Sequence, residues 1–508
     1  MNTSPIEDFP GSHVLVVTGL CFAILILCGW YGTAYGTGGK IHIVDPCDRT
    51  RTGEDSPVRR GAQQSKRPNV LLIGIDTLRA DHVGCLGYER DTTPTLNRLA
   101  REGVLCVRTM STSGWTLPSV MSVMTSLYPN VHQTYTYKNR LPGEVATLAE
   151  VLRANGYTTV GFISNPILDG RYGFSDGFDL YDDFTVSLDA GLDIFAKHNE
   201  TLNDQQLVCT GELVTRMAVQ WLQRNRGEPF FMFVFYIDPH YDYIPPAPFD
   251  TMFDPSYEGH IDGRGINREP RHSQRPSDRD LQHLLALYDG EIRYTDGCVA
   301  ELLRVFAMSG ALKNTVVVLF GDHGDEFYEH GKTAHDRTLY DEIIHVPLVF
   351  WGPGRFPLGK RINAVTSQID IMPTILDYLG VPYEGPMQGA SLRPLIEGKA
   401  ERLRDTVWAE LNTWIHVQAV VSNHYKLIRN VSKDTWELYY LRRDSDERTN
   451  LYAQPSTTGV QLTLMTEWER WIRDNSTLAG NLTHGGQIEK VQLNEQQLQK
   501  LRALGYAQ

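Results

Sequence analysis

Apolar and polar positions follow two different periods along most of this chain. Uninterrupted apolar runs of strand length occur at residues 69–75, 158–163, 230–237, 315–320 and 346–351. Such runs are typical of strands that are buried on both faces of a parallel sheet. Segments with helical spacing of apolar positions lie around them, at residues 94–101, 145–155, 207–224 and 281–308. Strands that alternate with helices predict an α/β fold, with a large, mostly parallel sheet sandwiched by helices.

The pattern changes near residue 399. Short segments separated by polar turns indicate a small antiparallel sheet. They occupy residues 417–421, 425–428 and 437–441, and helical patterns follow at residues 461–473 and 494–504. We therefore predict a main domain over residues 68–398 and a C-terminal antiparallel-sheet subdomain with terminal helices over residues 399–508.

The N-terminal region carries an apolar stretch longer than any of these strands. Residues 9–39 contain no Asp, Glu, Lys or Arg, and residues 14–31 are nearly all apolar. A helix needs about 20 residues, with a range of about 17–25, to cross a bilayer. We therefore predict a transmembrane anchor at residues 13–36, between a tail at residues 1–12 and a linker at residues 37–67.

A cleaved signal peptide is the alternative, because Gly32-Thr33-Ala34 resembles a small-residue cleavage site. The leader, however, carries Glu7 and Asp8 and no Lys or Arg, unlike the basic start of a signal peptide. By the positive-inside rule, basic residues after the span predict that the main domain lies in the cytoplasm. These residues are Lys40, Arg49, Arg51, Arg59 and Arg60.

Composition and charge narrow the classes of function. The chain has 508 residues, 41% of them hydrophobic and 21% charged, as in an ordinary globular protein. Its formal net charge of −13 argues against nucleic acid as a partner, because binding to a phosphate backbone requires a basic face. The seven cysteines include no CxxC pair, so neither a zinc knuckle nor a disulfide framework is indicated.

A short stretch around Thr116 combines a polar turn with the start of a helix. Residues 113–116 are small, hydroxylated or turn-forming, apart from one Trp, and the apolar residues after Pro118 have the spacing of a buried helix face. Proline suits a first helical turn, so Thr116 is predicted at a helix N-terminus, where an anion is favoured. Thr116 is then either a helix cap or a nucleophile, and this stretch alone favours the cap.

Three predicted strand ends carry residues that commonly bind metals. The groups are Asp76, then Asp238 with His240, and then Asp322 with His323, Asp325, His330 and His335 farther along. In open α/β sheets, ligands bind beyond the carboxyl ends of the strands. We therefore expect these side chains to converge on one edge of the sheet and to build one site there.

Motifs at these positions and beyond resemble the sulfatase family of the alkaline phosphatase superfamily. They include Asp76 with its preceding strand, Asp322-His323-Gly324, Leu339-Tyr340-Asp341-Glu342 before Val346-Pro347-Leu348, and Ile369-Asp370-Ile371-Met372-Pro373-Thr374. The resemblance extends from Arg67 to Gln508. It implies an α/β sheet domain with a small C-terminal subdomain, and a divalent metal ion in the active site.

The chain departs from the family pattern at the nucleophile. Sulfatases carry Cys or Ser followed by x-Pro-Ser-Arg, and oxidise the first residue to formylglycine, whereas this chain has Thr116-Leu117-Pro118-Ser119-Val120. Threonine cannot give an aldehyde, because its Cβ carries a methyl group. The family's second Lys corresponds to His335, and the second Asp of its first motif corresponds to Thr77. We therefore expect no formylglycine.

The remaining pattern resembles the members of the superfamily that use threonine as the nucleophile. By that resemblance, Asp76, Asp322, His323 and the Thr116 oxygen bind one divalent metal ion. This ligand set suits manganese or zinc, with magnesium and calcium as alternatives. His240 and His335 are then expected to contact the substrate's non-bridging oxygens or to protonate the leaving group. His330 is a further candidate, either for the same roles or as a residue that supports His240 and His335.

These residues predict a metal-dependent hydrolase of phosphate or phosphonate esters with Thr116 as its nucleophile. Diesters and other monoanionic esters are favoured, because the pocket lacks the family's Arg and Lys. The alternatives are a sulfuric ester hydrolase (a sulfatase), a membrane head-group phosphotransferase and an inactive binding domain. The expected partners are an anionic ester of a glycan, lipid or small molecule, and the membrane through the N-terminal helix. Family resemblance suggests an extracytoplasmic catalytic domain, whereas the flanking charges suggest a cytoplasmic one; the oligomeric state stays open.

Overall fold

The computed structural model describes residues 67–183, 210–225, 229–266, 274–483 and 489–503. Its strands are β1 (Asn69–Ile75), β2 (Val104–Met110), β3 (Thr158–Ile163), β4 (Leu180–Asp182), β5 (Phe230–Tyr236), β6 (Thr315–Gly321), β7 (Glu326–Phe327), β8 (Thr333–Ala334), β9 (His345–Trp351), β10 (Lys360–Ser367), β11 (Thr406–Asn412), β12 (His416–Ser422), β13 (Tyr425–Asn430) and β14 (Thr435–Tyr440).

Helices cover the sheets and connect their strands. They are α1 (Pro94–Glu102), α2 (Thr116–Thr125), α3 (Pro129–His132), α4 (Leu148–Ala154), α5 (Thr210–Arg224), α6 (Asp278–Met308), α7 (Asp341–Ile344), α8 (Ile371–Leu379), α9 (Arg393–Ile396), α10 (Thr458–Leu482) and α11 (Glu495–Ala503). Short 3-10 turns lie at Ala80–His82, Gly84–Leu86, Pro166–Leu168, Gly170–Tyr172, Ala311–Asn314, Gln368–Asp370 and Pro455–Thr457.

An eight-stranded sheet forms the centre, in the order β10-β2-β9-β6-β1-β5-β3-β4. β1 lies between β5 and β6 and runs parallel to both. β9 runs antiparallel to both β2 and β6, so the sheet is mixed at this side. The predicted α/β fold with a large, mostly parallel sheet is confirmed, and β2 and β10 were missed because polar residues such as Arg108 interrupt their apolar pattern.

The two faces of the sheet bury separate hydrophobic layers. Phe231, Phe233 and Phe235 of β5 pack into the layer that also holds α2. Met232 and Val234, which alternate with them, pack on the other face with α5 and α6. A strand buried on both faces needs apolar residues at every position, and this explains the uninterrupted apolar run at residues 230–236.

The C-terminal part contains the predicted antiparallel sheet. Its strand order is β11-β12-β13-β14, and every neighbouring pair is antiparallel. β11 was missed, and α10 extends beyond the predicted helix at residues 461–473 in both directions. Residues 64–508 form one compact unit. The domain boundaries at residues 67 and 398 stay predictions.

The predicted membrane anchor requires a correction. Across the described stretches of the chain, no helix combines the length and the apolar character that crossing a bilayer requires. This finding contradicts the membrane-anchored localisation. The prediction rested on the apolar stretch at residues 14–31 alone, which is near the lower limit for a spanning helix. The anchor at residues 13–36, like the tail before it, lies outside the described residues.

Candidate active site

Thr116 is the first residue of α2. Trp115 before it is extended, and the Ser119 amide donates to the Trp115 carbonyl at 3.2 Å, which closes the first helical turn. The Thr116 hydroxyl contacts residues from distant parts of the chain. Its Oγ1 lies 3.0 Å from Nε2 of His323 and 3.4 Å from Oδ1 of Asp76. The Thr116 side chain therefore contacts His323 and Asp76, and the alternative of a simple helix cap does not account for these contacts.

A hydrogen-bond network fixes α2 against the end of β6. Oγ of Ser119 lies 2.7 Å from the Asp322 carbonyl oxygen and 2.8 Å from Oε1 of Gln368. Nε2 of Gln368 donates to the carbonyl oxygens of Gly321 and Asp322 at 2.7 and 2.8 Å. Because the side chains of Ser119 and Gln368 are both buried, this network sets the distance between Thr116 and the residues that follow β6.

Asp76, Asp322 and His323 form a buried group of metal-binding type. Asp76 follows β1 and Asp322 follows β6, and the paired strands bring the two carboxylates together. One atom from each of the three side chains lies within 4.8 Å of the others. Nε2 of His323 is 3.6 Å from Oδ1 of Asp76 and 3.5 Å from Oδ2 of Asp322.

Neighbouring groups orient both carboxylates. Nδ2 of Asn165 donates to Oδ2 of Asp76 at 2.5 Å. The backbone amides of Thr77 and His323 donate to Oδ1 of Asp322 at 3.0 and 2.7 Å. Within the described residues, Oδ2 of Asp322 is buried without a hydrogen-bond donor. This oxygen, 3.5 Å from Nε2 of His323, therefore receives from the described residues no hydrogen bond that would compete with a metal ion.

The electrostatics of this group fit a divalent cation. Burial raises the pKa of Asp322 to about 8, and burial together with the Asp322 charge raises the pKa of Asp76 well above its ordinary value. Burial lowers the pKa of His323 to about 4, so this imidazole is neutral and able to act as a ligand. In the described part of the chain, no Lys or Arg forms an ion pair with either carboxylate. Two carboxylates and one imidazole are a ligand set for manganese or zinc.

His335 and His240 lie beside this group. The His335 ring centroid is 4.4 Å from that of His323 and 5.1 Å from that of His240. Nδ1 of His335 contacts Oδ1 of Asp325 at 2.6 Å, and the Tyr243 hydroxyl donates to the other oxygen of Asp325 at 2.7 Å. Nε2 of His335 is buried and has no hydrogen-bond partner among the described residues. Asp325 therefore fixes the ring and leaves Nε2 available.

His330 belongs to a different group. Its Nδ1 lies 2.6 Å from Oε1 of Glu342, and its Nε2 lies 3.2 Å from the Glu447 carbonyl oxygen. The ring stacks on Tyr340 with centroids 3.5 Å apart. His330, Glu326 and Glu342 form a second group that could hold a metal ion. The structure therefore brings five of the predicted residues, Asp76, Asp322, His323, His240 and His335, around Thr116 and leaves His330 among other partners. Asp238 instead accepts from the Thr210 hydroxyl at 2.8 Å.

Sequence reasoning missed two residues that shape the site, Asn165 and Gln368, and it named Asp325 without its contact to His335. Asn165 comes two residues after the end of β3, so the strand-end rule that selected Asp76 could have found it. Asp325 is three residues after Asp322, and its proximity to His335 depends on the loop that joins them. Gln368 acts through backbone carbonyls, which no sequence pattern indicates.

The departures from the family pattern are visible in the structure. Val120, at the position of the family's Arg, is fully buried among apolar side chains of the core. Thr77 has a left-handed backbone with φ 49°, and its hydroxyl donates to no acceptor among the described residues. Neither residue contributes a charge to the site.

Known proteins are similar to this chain in sequence and in fold. The Sulfatase family model matches residues 68–381, and the model named N-sulphoglucosamine sulphohydrolase, C-terminal, matches residues 329–474. An arylsulfatase of Clostridium perfringens is 25% identical over 440 residues, covering 76% of this chain and 90% of its own. A Delta 4,5-hexuronate-2-O-sulfatase of Bacteroides thetaiotaomicron is 24% identical, covering 78% and 87%.

A solved structure extends the similarity to the fold. The phosphonate monoester hydrolase of Agrobacterium radiobacter superposes with a TM-score of 0.68 and 22% identity, covering 80% of this chain and 96% of its own. The family model alone spans more than half of the sequence. The chain therefore belongs to the sulfatase family and is an ester-bond hydrolase.

Proposed function

We propose that this protein is a metal-dependent hydrolase of anionic esters in which the Thr116 hydroxyl is the nucleophile. The observation that carries the proposal is the position of Oγ1, 3.0 Å from His323 and 3.4 Å from Asp76. The hydroxyl therefore touches two of the three residues that could hold a cation. A nucleophile is activated by such a neighbourhood, because a weakly acidic hydroxyl must lose its proton to attack.

Asp76, Asp322 and His323 would hold one divalent cation, of manganese, zinc, magnesium or calcium. When bound, such a cation lowers the pKa of a neighbouring hydroxyl and polarises the ester oxygen. The protein supplies a site with two converging carboxylates and a neutral imidazole. No formylglycine enters this proposal, because threonine cannot form one.

Two displacements complete the reaction. Oγ of Thr116 releases its proton to solvent as it forms a bond to the phosphorus or sulfur atom, and the bond from that atom to the leaving oxygen breaks. Nε2 of His335, whose Nδ1 is fixed by Asp325, takes a proton from solvent and gives it to the leaving oxygen, which departs as an alcohol. Water then attacks the modified Thr116: its hydroxide part stays with the released acid, and its other proton restores the Thr116 hydroxyl. We assign His240, whose ring centroid is 5.1 Å from that of His335, to contact with the non-bridging oxygens.

Sulfate esters are the first substrate class to test. The arylsulfatase and the 2-O-sulfatase among the relatives favour this alternative over the phosphate or phosphonate esters predicted from the sequence. Phosphate diesters and phosphonate monoesters are the second candidate, because a sulfated Thr116 has no aldehyde route of release and depends on direct hydrolysis. Both classes carry one negative charge, which suits a pocket where Val120 replaces the family's Arg.

Turnover of matched aryl esters tests the proposal. The metal-loaded protein is assayed with an aryl sulfate, a phosphodiester, a phosphonate monoester and a phosphate monoester that share one leaving group. We expect turnover of at least one monoanionic ester, and mass spectrometry of the quenched reaction to find the transferred group on Thr116. An aldehyde at position 116, or undiminished turnover by Thr116→Ala, would contradict the mechanism.

A further inference from the structure

Arg337, whose side chain is partly exposed, follows the buried His335 by two residues, and the exposed Trp414 lies beside Arg337. We propose that Arg337 and Trp414 form a subsite for the leaving group of the substrate, and that they select esters of a ring that carries a second negative charge. This inference rests on the proposed function of the Thr116 site, because it assigns the neighbouring group of the same substrate. It names carboxylated or doubly esterified ring compounds as the preferred substrate class.

The backbone holds Arg337 close to the loop that carries Thr116. Arg337 follows His335 by two residues. The amide of Asp336, between them, donates to the Gly114 carbonyl at 3.1 Å, and Gly114 is two residues before Thr116. Asp336 has φ 71°, in the left-handed region, so the backbone turns at this point. The backbone that carries Arg337 is therefore attached to the loop that carries the nucleophile.

The Arg337 guanidinium retains hydrogen-bonding capacity. Its Nε has no hydrogen-bond partner among the described residues, and its ion pair with Asp336 is long, at 3.7 Å. Arg79 is different, because its guanidinium is paired with Asp81 at 2.8 Å and with Glu329 at 2.7 Å. The Arg337 side chain is 38% exposed, whereas that of His335 is buried. Since the unpartnered Nε is itself buried, the exposed end of the guanidinium is the part that is suited to bind an anion from solution.

The C-terminal sheet supplies the aromatic partner. Trp414 lies at the tip of the β11–β12 hairpin, where the Thr413 amide donates to the Ile415 carbonyl at 3.1 Å. The Arg337 Cζ lies 5.7 Å from the centroid of the Trp414 ring, within cation–π distance. The Glu410 amide of β11 donates to the Thr112 carbonyl at 2.8 Å. This bond attaches the hairpin to the loop before Thr116.

Trp414 is unusual in its exposure. Its relative accessibility is 41%, although tryptophan contributes a large apolar surface that folding normally buries. An indole face next to a guanidinium offers a flat apolar surface and a cation to the same ligand. Aromatic rings and sugar rings pack on such a face, and a carboxylate or sulfate pairs with the guanidinium. The two side chains together therefore favour a ring with an anionic substituent.

Binding to the Thr116→Ala protein tests the subsite apart from turnover. Dissociation constants are measured by isothermal titration with phenyl sulfate, 3-carboxyphenyl sulfate and 4-carboxyphenyl sulfate, and with the corresponding methylphosphonate esters. We expect one carboxylated isomer to bind about 10-fold more tightly than the phenyl ester, the effect of one charge-assisted hydrogen-bonded pair. Adding Arg337→Gln should remove this preference, and Arg337→Lys should retain part of it.

Trp414→Ala should weaken both the phenyl and the carboxyphenyl esters about 5-fold, and Trp414→Phe should restore most of the binding. Arg402→Gln and Leu358→Ala are matched controls, because Arg402 is an exposed surface partner of Asp405 and Leu358 is 80% exposed. Both controls should bind like the parent protein. Thermal unfolding of each variant checks that binding differences do not arise from loss of the fold.

Equal affinity for the phenyl and carboxyphenyl esters would overturn the subsite, as would a preference that survives Arg337→Gln. Failure of the proposed function gives a different result. In that case the wild-type protein hydrolyses none of these esters, while the Thr116→Ala protein still distinguishes them by binding. Kinetics of an active wild-type protein add a further check, because Arg337→Gln should raise KM for the carboxylated ester and leave kcat unchanged.

Discussion

Two buried groups in this molecule each contain two carboxylates, and they balance charge in opposite ways. In one, Asp76 and Asp322 face each other beside His323. In the other, Nζ of Lys426 lies 2.5 Å from Oδ1 of Asp341 and 2.9 Å from Oε1 of Glu447. The members of both groups are almost inaccessible to solvent, except Asp341, whose side chain is 18% exposed. Only the second contains a built-in cation.

The charges show the consequence. Burial raises the pKa of Asp341, but Lys426 opposes this more strongly and holds it at about 2. Burial raises the pKa of Glu447 to about 8, so that one ammonium balances one carboxylate. Around Thr116, the pKa values of both carboxyl groups are raised. The same residue types are thus a structural ion pair in one place and, by our proposal, a site for an external cation in the other.

The largest effect is expected from removing a carboxylate of the Thr116 group. Asp76→Ala or Asp322→Ala should abolish bound metal and reduce turnover to background, while the fold is kept. Metal content measured by mass spectrometry and far-UV circular dichroism check these outcomes. A variant that retains full metal content and turnover would place the cation elsewhere, and the comparison of the two groups would fail.

Removal of the nucleophile should follow in magnitude. Thr116→Ala should lower the rate on the order of 10³-fold or more, because no other group at this position can attack. Thr116→Ser keeps a hydroxyl and should lose much less. Steady-state kinetics of the three proteins with the best aryl ester provide the measurement. If Ser and Ala variants lose equal activity, the hydroxyl is not the attacking group.

Lys426→Met should affect stability and leave bound metal unchanged. The variant leaves the buried Glu447 without its cation and Asp341 with only the longer contact to Arg108 at 3.9 Å. Breaking a buried pair in this way costs about 3 kcal/mol of unfolding free energy. Urea unfolding measures the loss, and adding Glu447→Gln should recover part of it. Lys399→Met is the control, because Lys399 is an exposed partner of Glu397 and should change stability by less than about 1 kcal/mol. Loss of metal in Lys426→Met would contradict the division of roles.

The sequence predicted the first group far better than the second. Asp76 and Asp322 follow apolar strands, and the carboxyl ends of parallel strands lie at one edge of a sheet. The two carboxylates meet because β1 and β6 are neighbours there. Lys426 lies in a short strand of the C-terminal sheet. Its partner Asp341 lies 85 residues before it, and its partner Glu447 lies in a turn after it. Nothing in the spacing of these residues indicates contact, because tertiary packing of two sheets brings them together.

The same contrast explains the other successes and failures. Strands that are buried on both faces, such as β5 and β6, can be predicted from the sequence because nearly every position in them is apolar. β2, β10 and β11 were missed because polar residues interrupt their apolar runs. Asp325 and His335 both lie in the segment after β6 that the sequence singled out, but their contact could not be predicted, since the conformation of this segment determines it.

The smallest and most discriminating effect concerns the metal-free protein. Asp322 has a pKa near 8 in the folded state and near 4 when unfolded, so its carboxyl group destabilises the metal-free fold increasingly as pH rises from about 4 to about 8. Asp322→Asn removes that charge and keeps an oxygen that accepts from the Thr77 and His323 amides. We expect it to raise the unfolding free energy of the metal-free protein by about 1 kcal/mol at pH 7 and by nothing at pH 4. Added metal should reverse the order, because it stabilises only a fold that binds it. Thermal unfolding at both pH values, with and without a chelator, measures these differences. An equal gain at both pH values, or equal stabilisation of both proteins by metal, would show that the Asp76–Asp322 group is balanced without an external cation.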